Sequence, residues 1–187
     1  MEIILASASP RRKEILSNAG YNFEVIPSNY DEKINGLKYS SELVESCAYQ
    51  KALDVKNRIG DKKPIVSADT VVVLDDTILG KPKDKSEAIK MLQNLSNNTH
   101  FVATSICILY ENKILKSTAK TFVTFRELSN DDILNYLETK KPYDKAGSYG
   151  IQDEGFDFAQ SLNGELNNVI GFPIELFNKM MSEISHW

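Results

Sequence analysis

Cysteine is scarce in this chain: only Cys47 and Cys107 occur among 187 residues, far apart and in no Cys-x-x-Cys pair. That argues against a disulfide framework or a thiolate metal site, and two histidines offer no Cys/His cluster for zinc. Cys47 falls at an apolar helical position, so buried free thiols and a reducing, cytoplasmic compartment are the expectation. Long apolar runs are missing as well. The start, Met1-Glu2-Ile3-Ile4-Leu5-Ala6, is too short for the apolar core of a secretory signal and meets charge at Arg11, which predicts a soluble, unprocessed protein away from the membrane. Nor is there an excess of positive charge. With 22 Lys and Arg against 26 Asp and Glu the net charge is −4, so nothing draws the whole molecule to nucleic acid or an anionic membrane. Any polyanionic ligand must be met by local cations. Neither a Walker P-loop nor a Gly-x-Gly-x-x-Gly after a strand is present, which weighs against a kinase, a GTPase or a dinucleotide enzyme.

At 42% hydrophobic and 26% charged residues the composition is that of an ordinary globular chain, long enough for one sizeable core, so a single domain over 1–187 is predicted. Its most telling stretch is Ile65-Val66-Ser67-Ala68-Asp69-Thr70-Val71-Val72-Val73-Leu74, a buried strand with a carboxylate inside it. Aspartate is depleted in strands, and burying it unpaired is costly. Either a cation meets Asp69, or the strand opens into a cleft there, or Asp69 ends the strand by accepting backbone N–H groups. Alternation sends Ser67, Asp69 and Val71 to one face and Ala68, Thr70 and Val72 to the other, so Asp69 and Thr70 leave the sheet on opposite sides.

Residues 3–6 read as a short buried strand. After Ser7-Ala8-Ser9 a helix opens at Pro10, with Ser9 as N-cap, and stops near Gly20. Arg11, Arg12 and Lys13 occupy its first turn, where the helix dipole disfavours cations. A bound phosphate removes that cost by gathering N–H groups, the hydroxyls of Ser7 and Ser9 and the guanidinium forks; a solvated basic turn is the plain alternative. A helix is predicted over 41–59, with the apolar stripe Val44, Cys47, Ala48, Ala52, Val55 and Ile59. Lys51 falls inside that stripe, so its ammonium either snorkels out or meets an anion.

Residues 77–79 form a strand after an Asp75-Asp76 turn, and Gly80-Lys81-Pro82 hold Lys81 on a stiff exit. Asp84 and Glu87 cap a helix through Leu95, residues 101–110 and 114–125 form a long antiparallel hairpin, and Ser129 caps a helix to Thr139. His100, at the start of that hairpin, reads as a structural hydrogen-bonded residue or a general base. The glycine-rich stretch 143–155 is an ordered binding loop or a mobile polar one, and its Gln152 amide can both donate and accept, as reading a base edge requires. Asn163-Gly164 predicts a hairpin turn between strands 158–162 and 165–169, and Pro173 opens a C-terminal helix.

Taken together, Ser7, Ser9, Arg11, Arg12, Lys51, Lys81 and Lys145, with the carboxylates Glu32 and Asp69, predict a polyphosphate site with a hard divalent metal, Mg²⁺ or Mn²⁺.

The motifs Leu5-Ala6-Ser7-Ala8-Ser9-Pro10-Arg11-Arg12-Lys13-Glu14-Ile15-Leu16, Lys51-Ala52, Ser67-Ala68-Asp69-Thr70, Leu79-Gly80-Lys81-Pro82, His100-Phe101-Val102-Ala103-Thr104 and Asp144-Lys145-Ala146-Gly147-Ser148-Tyr149-Gly150-Ile151-Gln152 resemble, in order and across the chain, those of the Maf-like nucleotide pyrophosphatases. The resemblance implies an α/β fold related to the inosine triphosphate pyrophosphatases, a mixed twisted sheet in two lobes around a central cleft, often as a homodimer. It implies hydrolysis of a nucleoside triphosphate to the monophosphate and pyrophosphate with a divalent metal, as house-cleaning of the nucleotide pool. By position, Asp69 resembles the catalytic acceptor, with Glu32 as a metal or water ligand; Ser9, Arg12, Lys51, Lys81 and Lys145 resemble phosphate-handling residues. Arg12, Thr70 and Gln152 resemble the branch that acts on dTTP and UTP, and modified pyrimidine triphosphates belong to the same expectation. A nucleotide-binding regulator of cell division and septum formation is the alternative the resemblance leaves. Asp69 and Glu32 favour hydrolysis over it, since passive anion binding is better served by cations alone.

Overall fold

The computed structural model describes residues 1–60 and 62–184. One mixed sheet organises it. The strands are β1 (Ile3–Leu5), β2 (Phe23–Val25), β3 (Ile65–Leu74), β4 (Thr77–Leu79), β5 (Thr99–Tyr110), β6 (Lys113–Phe125) and β7 (Ala159–Asn163), in the order β2-β1-β3-β5-β6-β7 with β4 on β3. β1 runs parallel to β2 and β3, and every other pairing is antiparallel. The helices are α1 (Pro10–Asn18), α2 (Ser41–Ile59), α3 (Lys85–Leu95), α4 (Asn130–Lys140), α5 (Leu166–Ile170) and α6 (Ile174–Ile184).

The strand around Asp69 has two different edges. Toward β5 it is paired without a break, from Ile65↔Leu109 to Val73↔Phe101, with Asp69 opposite Ser105. On its other edge β1 pairs only as far as Leu5↔Val66, and β4 pairs only from Val72↔Leu79 onward. Between them, on that edge, Ser67 to Val71 has no strand beside it among the described residues, so the sheet splits there into two lobes with Asp69 at the middle of the gap. Each lobe has its own apolar packing. Ile3, Leu5, Leu16, Val66, Ile106, Phe172 and Phe177 fill one, and Val72, Leu92, Val102, Phe125, Tyr136 and Phe158 fill the other. The helix α2 spans both, burying Ala48, Ala52 and Val55 under the first lobe and Val44 and Cys47 under the second.

Local signals account for most element ends. The Ser40 hydroxyl accepts from the Leu43 N–H at α2, Asp84 from Glu87 at α3, and Ser129 forms a reciprocal capping box with Asp132 at α4. The Glu87 carboxylate reaches one residue beyond the expected box, accepting from the Lys83 N–H at 2.6 Å. Glu111 and Asn112 both take positive φ, which closes β5 onto β6 in two residues, so Lys113 belongs to the strand. At the end of α2, Ile59 is 42% exposed and drops out of the expected stripe.

The hairpin predicted around Asn163-Gly164 does not form. β7 does end at Asn163, but residues after Gly164 coil into α5. The cause is Asn168, whose buried side-chain amide donates to the Val102 carbonyl and to Thr121 Oγ1, both at 3.0 Å, while its backbone carbonyl accepts from Thr104 Oγ1 at 2.9 Å. An asparagine anchoring β5 and β6 from above outweighs further strand pairing, and it carries the chain toward Gly171 at the wall of the cleft.

Candidate active site

The gap in the sheet is a cleft of about 1090 Å³, and its walls include each of Ser7, Ser9, Arg11, Arg12, Glu32, Lys51, Asp69, Thr70, Lys81, Lys145 and Gln152. Residues spread from position 7 to 152 thus share one cavity, of the size expected for a nucleotide-sized ligand. His100 is not among the lining residues. It lies beneath them, its Nε2 2.7 Å from the Tyr149 hydroxyl, and burial pushes its pKa down to about 4. The structural reading of His100 therefore stands over that of a general base.

At the centre, Lys51 reaches from α2 to Asp69. Its Nζ is 2.5 Å from Asp69 Oδ1 and 3.4 Å from Glu32 Oε2. The ammonium in the apolar stripe meets an anion instead of snorkelling, and Asp69 meets a cation where the strand opens, so two of its three readings hold together. Burial raises the pKa of Glu32, but the charge of Lys51, its own backbone N–H and Lys81 outweigh that, and the net effect is to lower it. Lys81 Nζ lies 3.9 Å from Glu32 Oε1 on a largely exposed side chain, where the pairing contributes little to stability. Asp69 itself is 3% exposed, and its second oxygen, Oδ2, is buried with no hydrogen-bond partner among the described residues. A buried carboxylate oxygen without a partner in a residue that lines the cleft calls for a donor or a cation to satisfy it.

Cys47 packs beside this group, one helical turn before Lys51. Burial first, then the charge of Asp69, push its thiol up to about 11, so it stays protonated and is unsuited to act as a nucleophile.

The structure separates the two arginines that the sequence treats alike. Arg12 donates through Nε to the Gly171 carbonyl at 2.9 Å, through one terminal nitrogen to Ser7 Oγ at 3.1 Å and through the other to Thr70 Oγ1 at 3.2 Å. It ties α1, β3 and the chain after α5 into one wall; burial lowers its pKa, against the opposing charges of Asp69 and Glu32. Arg11 has a buried Nε without a partner among the described residues at the same helix start. Ser9 precedes α1, but its hydroxyl makes no cap; its N–H instead donates to Ser7 Oγ at 3.3 Å. The first turn of α1 consequently carries N–H groups and cations with no acidic side chain to answer them.

Thr70 leaves β3 on the face opposite Asp69, as alternation requires, and Thr104 stands 3.0 Å from it. The first half of the loop after α4 is packed: Gly147, at φ +67, donates its N–H to the Gly80 carbonyl and lies against Val72, and Ser148 and Tyr149 are buried. That packing holds Lys145, 15% exposed with Asp144 3.3 Å away, at the cleft. Sequence reasoning missed Tyr30, Lys83, Asp153 and Gly171 among the lining residues. The Gly-Phe-Pro junction is the sign the sequence offered for Gly171, whose φ is +124 in the structure.

Chemically, the cleft combines a carboxylate paired with a lysine, a second carboxylate on that lysine, and further cations along its walls. This is a setting for a polyanion and a polar nucleophile. Comparison with known proteins points the same way. The chain is 44% identical to a dTTP/UTP pyrophosphatase of Thermococcus gammatolerans over 178 residues, covering 95% of this chain and 94% of that one. It is 41% identical to the dTTP/UTP pyrophosphatase of Clostridium botulinum over 186 residues, covering 98% and 99%. Among solved structures, a HAM1 protein from Coxiella burnetii superposes with a TM-score of 0.56 over the full length of both chains at 13% identity, which shows a shared fold. With the Maf-like protein family matched from residue 2 to residue 184, the whole of this cleft falls inside the match, and the chain belongs to that family.

Proposed function

We propose that this protein hydrolyses dTTP and UTP, and modified pyrimidine triphosphates of the same kind, to the nucleoside monophosphate and pyrophosphate. The observation that carries the reading is the Lys51–Asp69 pair at the opening of the sheet, with one carboxylate oxygen buried and without a hydrogen-bond partner among the described residues. Attack at the α-phosphorus needs a water held and deprotonated beside it, and Asp69 Oδ2 is a buried acceptor suited to that task. Lys51, hydrogen-bonded to Oδ1, fixes the carboxylate's orientation. Arg11 at the start of α1 and Lys81 and Lys145 across the cleft offer positive charge to the phosphate oxygens and to the leaving pyrophosphate, where negative charge grows in the transition state. Arg12, with three donors already committed, holds the wall and presents its remaining N–H groups. Gln152 reads the base. Its amide pairs with the N3–H and a flanking carbonyl of uracil or thymine, whereas cytosine presents an unprotonated N3 beside an amino group.

The bare Oδ2 of Asp69 and the neighbouring Glu32 also fit a divalent cation such as Mg²⁺ or Mn²⁺. No group of three metal-binding side chains exists among the described residues, so such an ion would take the rest of its shell from water and substrate oxygens. When bound, it would neutralise charge on the phosphates. We extend the reading to a homodimer in the cytoplasm, on the family resemblance. No helix among the described residues is long and apolar enough to cross a membrane.

The test is a metal-supplemented panel of nucleoside triphosphates, scored separately for pyrophosphate and orthophosphate, with size measured by light scattering. Pyrophosphate release, fastest with dTTP and UTP, is expected. Orthophosphate as first product, or a purine triphosphate as best substrate, would overturn the assignment.

A further inference from the structure

Gln152 sits at the tip of a tight turn whose geometry is set by a side chain from a different element. The Asp153 N–H donates to the Gly150 carbonyl at 3.1 Å, leaving Ile151 and Gln152 as the two central residues. Behind the turn stands Tyr136 of α4. Its hydroxyl accepts from the Gly150 N–H at 2.8 Å and donates to Asp153 Oδ2 at 2.5 Å, so one oxygen closes both ends of the turn. Tyr136 is 1% exposed and wedged against Phe156 and Phe158, with ring centroids 5.0 and 4.9 Å away. Burial and the Asp153 carboxylate push the phenol pKa up, so it remains a donor. Gly150 is shaped for the same circuit: a Cβ there would stand 2.8 Å from Asp153 Oδ2, closer than such contacts occur.

The Gln152 amide has no partner of its own among the described residues. It lines both the main cleft and a second cavity of about 300 Å³ that runs beside Arg11, Asn167 and Ile170. An exposed amide without a bond of its own is aimed only by the backbone that carries it, and base discrimination depends on that aim.

We propose that Tyr136, acting through Asp153 and Gly150, is the positioning residue for base selectivity: it locks the turn that presents the Gln152 amide to the pyrimidine edge. The inference rests on the reading of Gln152 as the base reader. It places the determinant of pyrimidine choice in a hydroxyl that never meets the substrate. Tyr136→Phe keeps the ring and its aromatic packing and removes only the clasp.

A double-mutant cycle tests this through the ratio of kcat/KM for UTP to that for CTP, measured in wild type, Gln152→Ala, Tyr136→Phe and the double variant. Expected are a roughly tenfold fall for Gln152→Ala, a fall of about fivefold for Tyr136→Phe, and no further fall in the double variant. Inhibition by pyrophosphate should stay within about twofold in Tyr136→Phe, because the phosphate cations are untouched; a merely destabilised fold would weaken it along with the ratio. Should Tyr136→Phe fail to fold, Asp153→Asn, which keeps a carbonyl acceptor for the phenol, should retain the ratio and Asp153→Ala should lose it. If Gln152→Ala lowers the ratio while Tyr136→Phe and Asp153→Ala leave it at the wild-type value, the positioning role is refuted and the base reader survives. An unchanged ratio in Gln152→Ala refutes both.

Discussion

Asp69→Asn removes a charge at nearly constant volume, and the structure allows its cost to be divided between folding and turnover. In the fold, removing one partner of a buried ion pair costs about 3–5 kcal/mol. Lys51 does not lose its last partner, however, because Glu32 stays 3.4 Å from its ammonium. The expected loss is therefore at the lower end, about 3 kcal/mol, which for a chain of this length lowers Tm by about 6–12 °C. A typical domain remains folded after such a loss. The catalytic effect is separate from this loss, because the acceptor of the water's proton is gone even in the molecules that stay folded. A fall in kcat of about 100-fold or more is expected, equal to about 2.7 kcal/mol of transition-state stabilisation. The assay pairs pyrophosphate release at saturating dTTP with thermal melting of the same preparation, and nucleotide binding by titration shows that the cleft is intact. Adding Glu32→Gln should then strand Lys51 and cost more stability than Glu32→Gln costs alone. Near-normal kcat in folded Asp69→Asn would refute the assignment of Asp69 to chemistry, and simple additivity of the two stability losses would refute the shared-lysine argument.

Thr70→Val removes the hydroxyl that receives Arg12 and faces Thr104. Denaturant melts should show a loss of about 1–3 kcal/mol, with a raised KM as the Arg12 wall loosens; no change in either would detach Arg12 from Thr70. Because burial holds His100 at about 4 in the fold against 6.5 when exposed, its contribution to stability is complete above pH 6.5 and disappears as pH falls toward 4. The slope of stability against pH in that window should flatten in His100→Gln, and an identical slope would contradict the buried neutral imidazole. Gly147→Ala combines a positive φ with a Cβ 2.9 Å from Val72 Cγ2 and should cost about 1–3 kcal/mol by denaturant melt. In that background Val72→Ala should relieve the contact but not the strain, and full recovery would refute the strained backbone.

Local physics was enough to read most elements from the chain. The period of the apolar stripe set the span of α2 at Ser41–Ile59, and the caps Asp84 and Ser129 set the starts of α3 and α4. Alternation along β3 placed Asp69 and Thr70 on opposite faces. These signals depend on residues within one or two turns of each other, which is why they survive without any knowledge of the partners. The failure at Glu165 came where they compete with a distant demand: Asn168 satisfies backbone and hydroxyl groups of β5 and β6, and no local pattern reports that.

The charges of the cleft were legible for a related reason. A cation in a helix's first turn, a lysine in an apolar stripe and an aspartate in a strand each violate a local preference, and the violations can be counted along the sequence. What each one does there was decided only by the tertiary structure. Sequence could not say that β1 pairs with β3 only as far as Val66 and β4 only from Val72 onward, and so could not say that the opening on β3 is centred on Asp69. Nor could it tell Arg11, with a free buried Nε, from Arg12, with its donors tied to Ser7, Thr70 and Gly171. Both distinctions depend on contacts between segments far apart in the chain, and a Tyr136 hydroxyl clasping Gly150 and Asp153 belongs to the same kind. Residue type and spacing determined which chemistry this protein carries; the geometry of non-local contacts decided which side chain performs it.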